Sequence, residues 1–229
     1  MGEEPWRVHS AGAPSLDHVT RSRLLIRDEL EQQLSIDLNQ PTLLVVYHPV
    51  TLLRDTNAEA DALFEALNHV QGQILFSYPN ADAGSHHLTE RARAFAATRE
   101  NVRVFVNLGA ISYLSLLHHV DALIGNSSSG IMESASLRLP TVDIGMRQQG
   151  RERARNVLHA APDATAILNK IAQARSPAFR ASLLGLENSY GDGHASERII
   201  EVLTTVPLNE ELLIKRSSIV ADNRIPHTA

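Results

Sequence analysis

Cysteine is absent from all 229 residues of this chain. Its absence excludes disulfide bonds, catalysis by a cysteine thiolate and zinc sites built on cysteine. A chain without thiols fits a reducing compartment. The chemistry of any site must therefore come from hydroxyl, imidazole, carboxylate, amide and guanidinium groups.

Two further features are missing: an excess of basic charge and a long apolar run. Lys and Arg number 21 against 26 Asp and Glu, a formal net charge of −5, which argues against a general nucleic-acid or membrane-surface binder. No apolar run approaches the length of a membrane span. Residues 1–6 lack the apolar segment of a secretory signal. The expectation is a cytoplasmic protein without nucleic-acid or membrane partners.

Predicted strands alternate with predicted helices along most of the chain. The strands are continuous apolar runs, which is typical of a parallel sheet covered by helices on both faces. The fold class is therefore α/β, with a Rossmann-like, doubly wound parallel sheet. Strands are expected at 6–10, 42–47, 73–78, 102–106, 122–124, 141–144 and 156–158, and helices at 15–38, from 56, around 88–96, at 111–117, from about 129, at 163–174 and at 196–205.

Polar, glycine-bearing or histidine-bearing residues follow each of the central strands. In parallel sheets of this kind the ligand lies beyond the carboxyl ends of the strands, so these residues are expected to converge at one edge. Loops after strands are also polar for trivial reasons. The general polarity of loops does not require that a histidine, an Asn/Asp pair, a serine cluster and an arginine all lie at one edge. The clusters are His48–Thr51, Pro79–Ser85 with Asn80 and Asp82, Asn107–Gly109, Asn126–Gly130 and Gly145–Arg147.

The serine-rich turn at Asn126–Gly130 is the strongest local signal. Small residues before a helix, with free backbone N–H groups, favour a phosphate. Glu133, about one turn further on, suits the two hydroxyls of a ribose, and Arg147 and Arg151 follow the next strand. The pattern indicates a phosphorylated, ribose-bearing ligand. The competing interpretation is a good helix N-cap and tight turn without a ligand.

Paired histidines occur at His86-His87 and His118-His119. Adjacent helix residues point in different directions, so both pairs are expected to be exposed helix positions. No metal site is predicted.

Five motifs, in order over about residues 6–206, resemble the hydrolysing UDP-N-acetylglucosamine 2-epimerases of sialic-acid pathways. The Asn-Ser-Ser form of the turn separates this branch from the non-hydrolysing epimerases, which carry Asp-Ser-Gly-Gly there. The motifs are His48-Pro-Val-Thr, Pro-Asn80-x-Asp82-Ala-Gly-Ser, Gly-Asn126-Ser-Ser-x-Gly-x-x-Glu133, Gly145-x-Arg147-Gln-x-Gly-Arg151 and Tyr190-Gly-Asp-Gly193.

The resemblance implies the C-terminal half of a GT-B arrangement, with the N-terminal domain missing. Residues 1–15 would then be a remnant of that domain with the crossing strand. Residues 16–207 would be the UDP-binding Rossmann-like domain, and 208–229 a tail that is disordered from Ala221 onward. Because the sugar-contacting groups lie largely on the missing half, this chain alone is expected to be inactive.

The resemblance also implies a role for each matched residue. His48 is the catalytic candidate, a histidine near the diphosphate that assists the departure of UDP. The UDP-binding candidates are Asn80, Leu108, Ser127, Ser128, Glu133 and Arg147. In the family, Leu108 would read the uracil through its main chain, the serines would bind the diphosphate, Glu133 the ribose diol and Arg147 the diphosphate or sugar. No cofactor is implied.

The implied reaction converts UDP-N-acetylglucosamine and water into UDP and N-acetylmannosamine, by elimination of UDP followed by hydration. Three alternatives stay open: the same chemistry on UDP-2,4-diacetamido-trideoxyhexose for legionaminic acid, a GT-B glycosyltransferase half, and a nucleotide-sugar binding module. Homo-oligomerisation of the full-length enzyme is also open.

Overall fold

The structure, a computed structural model, describes residues 3–50, 57–78 and 85–214. Strands and helices alternate through most of it. The strands are β1 (Thr42–Val46), β2 (Gln73–Tyr78), β3 (Val102–Val106), β4 (Ala122–Gly125), β5 (Thr141–Ile144) and β6 (Val157–Ala160). The helices are α1 (Ser15–Arg21), α2 (Arg27–Leu34), α3 (Asn57–Asn68), α4 (Ser85–Ala97), α5 (Ala110–His119), α6 (Glu133–Ser136), α7 (Ala164–Arg175), α8 (Pro177–Ser182), α9 (Ala195–Thr205) and α10 (Glu210–Leu213).

The strands form one six-stranded sheet in the order β3-β2-β1-β4-β5-β6. Every neighbouring pair is parallel. The chain builds outward from β1 to β3, then returns through α5 to place β4 on the other side of β1. In such a sheet the point where the order reverses leaves a crevice beyond the carboxyl ends of the strands. Here that point lies between β1 and β4, where Val46 is paired with Gly125.

Two apolar layers cover the sheet because successive side chains of a strand point to opposite faces. From β1, Leu43 and Val45 join the layer packed by α3, α4 and α7, whereas Leu44 and Val46 join the layer packed by α2 and α5. All the residues of β1, β2, β4 and β5 are buried. The doubly wound α/β fold expected from the apolar strands is confirmed.

The predicted strands from residue 42 onward all exist, with bounds shifted by one or two residues at most at β1, β4 and β6. The predicted strand at residues 6–10 is wrong: Pro5–Arg7 forms a 3₁₀ turn and the following residues form no strand. Pro5 opens that turn with a fixed φ and no N–H, which suits a helical start and not a strand.

The single helix predicted at 15–38 is also wrong, because the chain breaks it into α1 and α2. Side chains of α5 satisfy the backbone of the break. Ser115 Oγ accepts a hydrogen bond from Leu25 N at 2.9 Å, and His119 Nε2 lies 3.0 Å from Leu25 O. Tertiary hydrogen bonds thus replace those that a continuous helix would make.

Helices α8 and α10 were not predicted, and α10 closes the described part of the chain. Arg7 donates hydrogen bonds to the carbonyl oxygens of Leu212 and Ile214, each at 2.8 Å, so that its guanidinium covers the end of α10. Thr56, where a helix was expected to begin, and the tail from residue 215 lie outside the described residues. None of the helices in the described ranges combines the length and apolarity needed to cross a bilayer.

Candidate functional site

A cavity of about 230 Å³ opens at the carboxyl edge of the sheet, where the strand order reverses. It collects residues from the ends of four strands and from α5. Three of the predicted site residues, His48, Leu108 and Ser127, are among those that line it. The lining residues are Val46, His48, Ser77, Tyr78, Asn107, Leu108, Tyr113, Ser127 and Ser129.

Asn126 fixes the backbone of His48 across the β1–β4 junction. Its Oδ1 accepts a hydrogen bond from His48 N at 2.7 Å, and its Nδ2 donates to His48 O at 2.9 Å. The Asn126 side chain is fully buried, and its own N–H donates to Val46 O at 3.2 Å. An amide that pairs with both backbone groups of one residue leaves that residue little freedom, so the imidazole of His48 starts from a fixed point on the cavity wall.

Arg147 reaches the same asparagine from the loop after β5. Arg147 Nη1 donates to Asn126 O at 2.9 Å, and the buried amide of Gln148 donates to that oxygen at 2.7 Å. Because Gln148 keeps the carbonyl satisfied, the exposed Arg147 side chain is able to leave it for an anionic ligand without stranding a buried acceptor. Gln148 was not among the predicted site residues.

The serine turn differs from the expected single helix. Ser128–Gly130 form a 3₁₀ turn capped by Ser127, whose Oγ accepts from Ser129 N at 3.3 Å. The α-helix that follows, α6, has only four residues. A helix this short has little macrodipole, so attraction of an anion here would depend on individual N–H and hydroxyl groups. Ser128 is half-buried and is not among the residues that line the cavity.

Gly130 is small for a packing reason. A Cβ at this position would lie 2.8 Å from Cγ2 of Thr141, which is too close for any side chain. Its place in the turn therefore reflects contact with β5, whereas Ser127 and Ser129 line the cavity. The competing interpretation, a good N-cap and a tight turn, is also met in part, because the side chain of Ser127 caps the turn.

Tyr113 is a cavity residue that sequence reasoning missed. Its side chain lines the cavity together with those of Ser127 and Ser129. Burial raises the pKa of Tyr113 to about 12, with Glu133 adding to the shift and the serine hydroxyls opposing it. The phenol is therefore a neutral donor at any physiological pH. The available signal was a tyrosine within the apolar helix around 111–117, since a buried tyrosine hydroxyl usually has a partner.

Glu133 is the first residue of α6 and is half-buried. Within the described ranges, no group donates a hydrogen bond to its carboxylate, so both oxygens can accept from a ligand. Asn80 lies in residues 79–84, outside the described residues, as does Asp82. The described chain holds no group of three potential metal ligands.

Comparison with known proteins finds relatives in sequence and solved structures of similar fold. A hydrolysing UDP-N,N'-diacetylbacillosamine 2-epimerase of Legionella pneumophila is 33% identical over 217 residues, which are 94% of this chain and 56% of that protein. A hydrolysing GDP/UDP-N,N'-diacetylbacillosamine 2-epimerase of Campylobacter jejuni is 34% identical over 161 residues, 69% of this chain and 42% of that protein. The chain thus spans about half the length of these relatives.

Among solved structures, a UDP-GlcNAc 2-epimerase of Methanocaldococcus jannaschii in complex with UDP-GlcNAc and UDP superposes with a TM-score of 0.67 at 15% identity. The superposition covers 89% of this chain and 56% of that one. This likeness confirms the expected fold, one half of a GT-B arrangement. The profile described as UDP-N-acetylglucosamine 2-epimerase matches residues 1–204. The chain therefore belongs to the UDP-N-acetylglucosamine 2-epimerase family.

Proposed function

We propose that this chain is the UDP-binding half of a hydrolysing UDP-sugar 2-epimerase. The observation that carries the proposal is the cavity at the β1–β4 junction, which brings His48, Leu108 and Ser127 together at the position where parallel sheets bind nucleotides. Membership of the epimerase family and the names of the two curated relatives support it. The N-terminal domain of such an enzyme would supply the remaining sugar contacts.

Each predicted site residue has a proposed role in binding UDP, although only His48, Leu108 and Ser127 are among the residues that line the cavity. The main chain of Leu108 reads the uracil edge and Glu133 accepts from the ribose hydroxyls. Ser127, Ser128 and Arg147 bind the diphosphate. Asn80 is proposed as a further UDP contact on the basis of its motif alone. We also propose that the UDP-binding domain extends from residue 16 to residue 207.

The proposed reaction begins with elimination. The C1–O bond to UDP breaks as the proton on C2 is removed, which gives a glucal-type intermediate. Water then adds, with hydroxyl at C1 and a proton at C2 on the face opposite to the original hydrogen. His48 assists the first step by donating a hydrogen bond or proton to the departing diphosphate, a task suited to an imidazole near neutral pH.

Two substrates fit the proposal. UDP-N-acetylglucosamine is the substrate in the family description and would give N-acetylmannosamine. A UDP-2,4-diacetamido-trideoxyhexose is equally supported, because both curated relatives above are named for a diacetamido sugar. Incubating the complete protein with each UDP-sugar and no acceptor, and measuring released UDP, separates the two and also distinguishes either from a glycosyltransferase.

The nucleotide site itself is tested on the 229-residue chain. We expect calorimetric titration to detect UDP binding, and CMP binding to be weaker because its base presents a different hydrogen-bonding edge to Leu108. Affinity should lie well below that of a complete enzyme, since half of the cleft is missing. Equal affinity for the two nucleotides, or no heat with either, would contradict the uracil site.

A further inference from the structure

The helix that carries Glu133 is too short to hold itself in place. α6 has four residues, about one turn, and a single turn fixes several backbone dihedrals for very few hydrogen bonds. Its position must therefore come from contacts with other parts of the chain. Asn156 provides one of these, because its buried Nδ2 donates to Ser134 Oγ at 2.9 Å from the β6 side.

Asn188 provides the second set of contacts, from the segment before α9. Its Nδ2 donates to Met132 O and to Ser136 Oγ, both at 2.7 Å. Met132 directly precedes Glu133, and Ser136 ends the helix. One amide nitrogen thus bridges both ends of the turn that bears the carboxylate.

Asn188 is itself held in place by contacts with neighbouring residues. Asn188 Oδ1 accepts from Tyr190 N at 3.0 Å, while Tyr190 O accepts from Ala13 N at 2.8 Å and the Tyr190 hydroxyl donates to Glu152 O at 3.0 Å. Gly191 has φ +128°, and a Cβ there would lie 3.2 Å from the Cα of Gly12. The Tyr190-Gly-Asp-Gly193 motif, which the proposed nucleotide contacts do not use, therefore fixes Asn188.

We propose that Asn188 is a positioning residue that holds the Glu133 turn in the orientation needed for ribose recognition. The inference rests on the proposed function, because it assumes that Glu133 accepts from the ribose hydroxyls. Asn188 is not proposed to touch the ligand. Its loss should therefore reduce discrimination between ribose and deoxyribose, while contacts to the base and the phosphates persist.

The test compares UDP with 2′-deoxy-UDP by calorimetry on the 229-residue chain. Loss of a hydrogen bond to a charged group reduces affinity by roughly 10- to 150-fold, so wild type should prefer UDP by at least about 10-fold. In Asn188→Ala the ratio of the affinities for UDP and 2′-deoxy-UDP should fall to within about threefold of the ratio measured for Glu133→Gln. The affinity of Asn188→Ala for 2′-deoxy-UDP should equal that of wild type. The double variant Asn188→Ala, Glu133→Gln should lose nothing further, as expected for residues that act as one unit.

Asn101→Ala is the matched control. Asn101 is also half-buried, and its Nδ2 donates to a backbone oxygen, Gly72 O, at 2.6 Å, but it lies just before β3 at the opposite edge of the sheet. It should lower the melting temperature and leave the UDP preference at the wild-type value. If the role of Asn188 were purely structural, Asn188→Ala would likewise lower the melting temperature and leave the preference for UDP unchanged.

The results of these titrations distinguish a failure of the role proposed for Asn188 from a failure of the proposed function. Absence of UDP binding by wild type contradicts the proposed function. A wild-type preference that persists in Asn188→Ala overturns the inference and leaves the function standing. If Asn188→Ala melts below the titration temperature, Asn188→Asp takes its place. This variant keeps Oδ1 as the acceptor for Tyr190 N and removes both donors, and the same loss of preference for UDP is expected of it.

Discussion

At the scale of single residues, the structure allows a specific test of the proposed role of His48 in the departure of UDP. Asn126 binds only the backbone N and O of His48, and alanine retains both groups. We therefore expect His48→Ala to fold normally in a complete two-domain protein. Its kcat for UDP release should fall by about 10²- to 10⁴-fold, the usual contribution of a general acid, with a smaller change in KM.

Steady-state assays of UDP release, together with melting curves, check this prediction. His69→Ala is a suitable control, since His69 is an exposed histidine just after α3. A His48→Ala enzyme within about threefold of the wild-type kcat, far short of the general acid range, removes His48 from the mechanism.

Single residues also show where sequence reasoning stops. His48, Leu108 and Ser127 were predictable as neighbours because each follows a parallel strand, and those strand ends share one edge. Tyr113 was not, because it belongs to a helix whose spacing indicates core, and the serines that line the cavity with it follow another strand. Which side chains meet across elements depends on register and rotamer, neither of which a local pattern contains.

At the scale of elements, a side chain of α1 caps the distant helix α9. Asp17 accepts hydrogen bonds from Ala195 N at 2.9 Å and Ser196 N at 2.8 Å. Hydrogen bonding from the side chain of Ser196, followed by that from its backbone N–H and from Ala195 N, lowers the pKa of Asp17 from 3.8 to about 2. A carboxylate with a depressed folded-state pKa stabilises the fold above its unfolded value and loses that contribution as the pH falls through the folded value.

We therefore expect Asp17→Asn to lower the melting temperature at pH 7 and to approach wild type as the pH falls from 3.8 toward 2. Thermal melts across that range provide the measurement. Asp28→Asn, which neutralises an exposed carboxylate on α2, is the matched control for the loss of one negative charge. A gap between Asp17→Asn and wild type that stays constant down to about pH 2 would contradict the assignment.

The elements also divide into those that local sequence specifies and those that it does not. Four strands, β1, β2, β4 and β5, were predictable because they are buried on both faces and read as apolar runs. The break between α1 and α2 was not, because Ser115 and His119 of α5 supply the hydrogen bonds that make it stable. The same holds for the division of the serine turn into a 3₁₀ turn and α6, which Asn156 and Asn188 hold from outside.

At the scale of the whole molecule, the chain spans 56% and 42% of the two curated relatives. If only one of the two domains that form the cleft is present, contacts to the nucleotide should persist, but the sugar should not be held in a fixed orientation. Orientation of the substrate supplies much of the rate enhancement of an enzyme. We expect the 229-residue chain to bind UDP and to release none from UDP-N-acetylglucosamine. Chromatographic detection of UDP over many hours decides this, with a protein-free incubation as control, and sustained release above that control would show a complete catalytic site within this chain.

The pairing of β1 with β4 has a consequence for how the molecule acquires its cavity. The two residues that close this junction, His48 and Asn126, are 78 positions apart along the chain. Contacts between such distant residues form slowly, because the entropy of closing a long loop is lost before the contact compensates for it. A ligand of the cavity therefore has no site until the two halves of the sheet have joined. Such a ligand stabilises only molecules that have completed that step, and shifts the refolding equilibrium toward them by mass action.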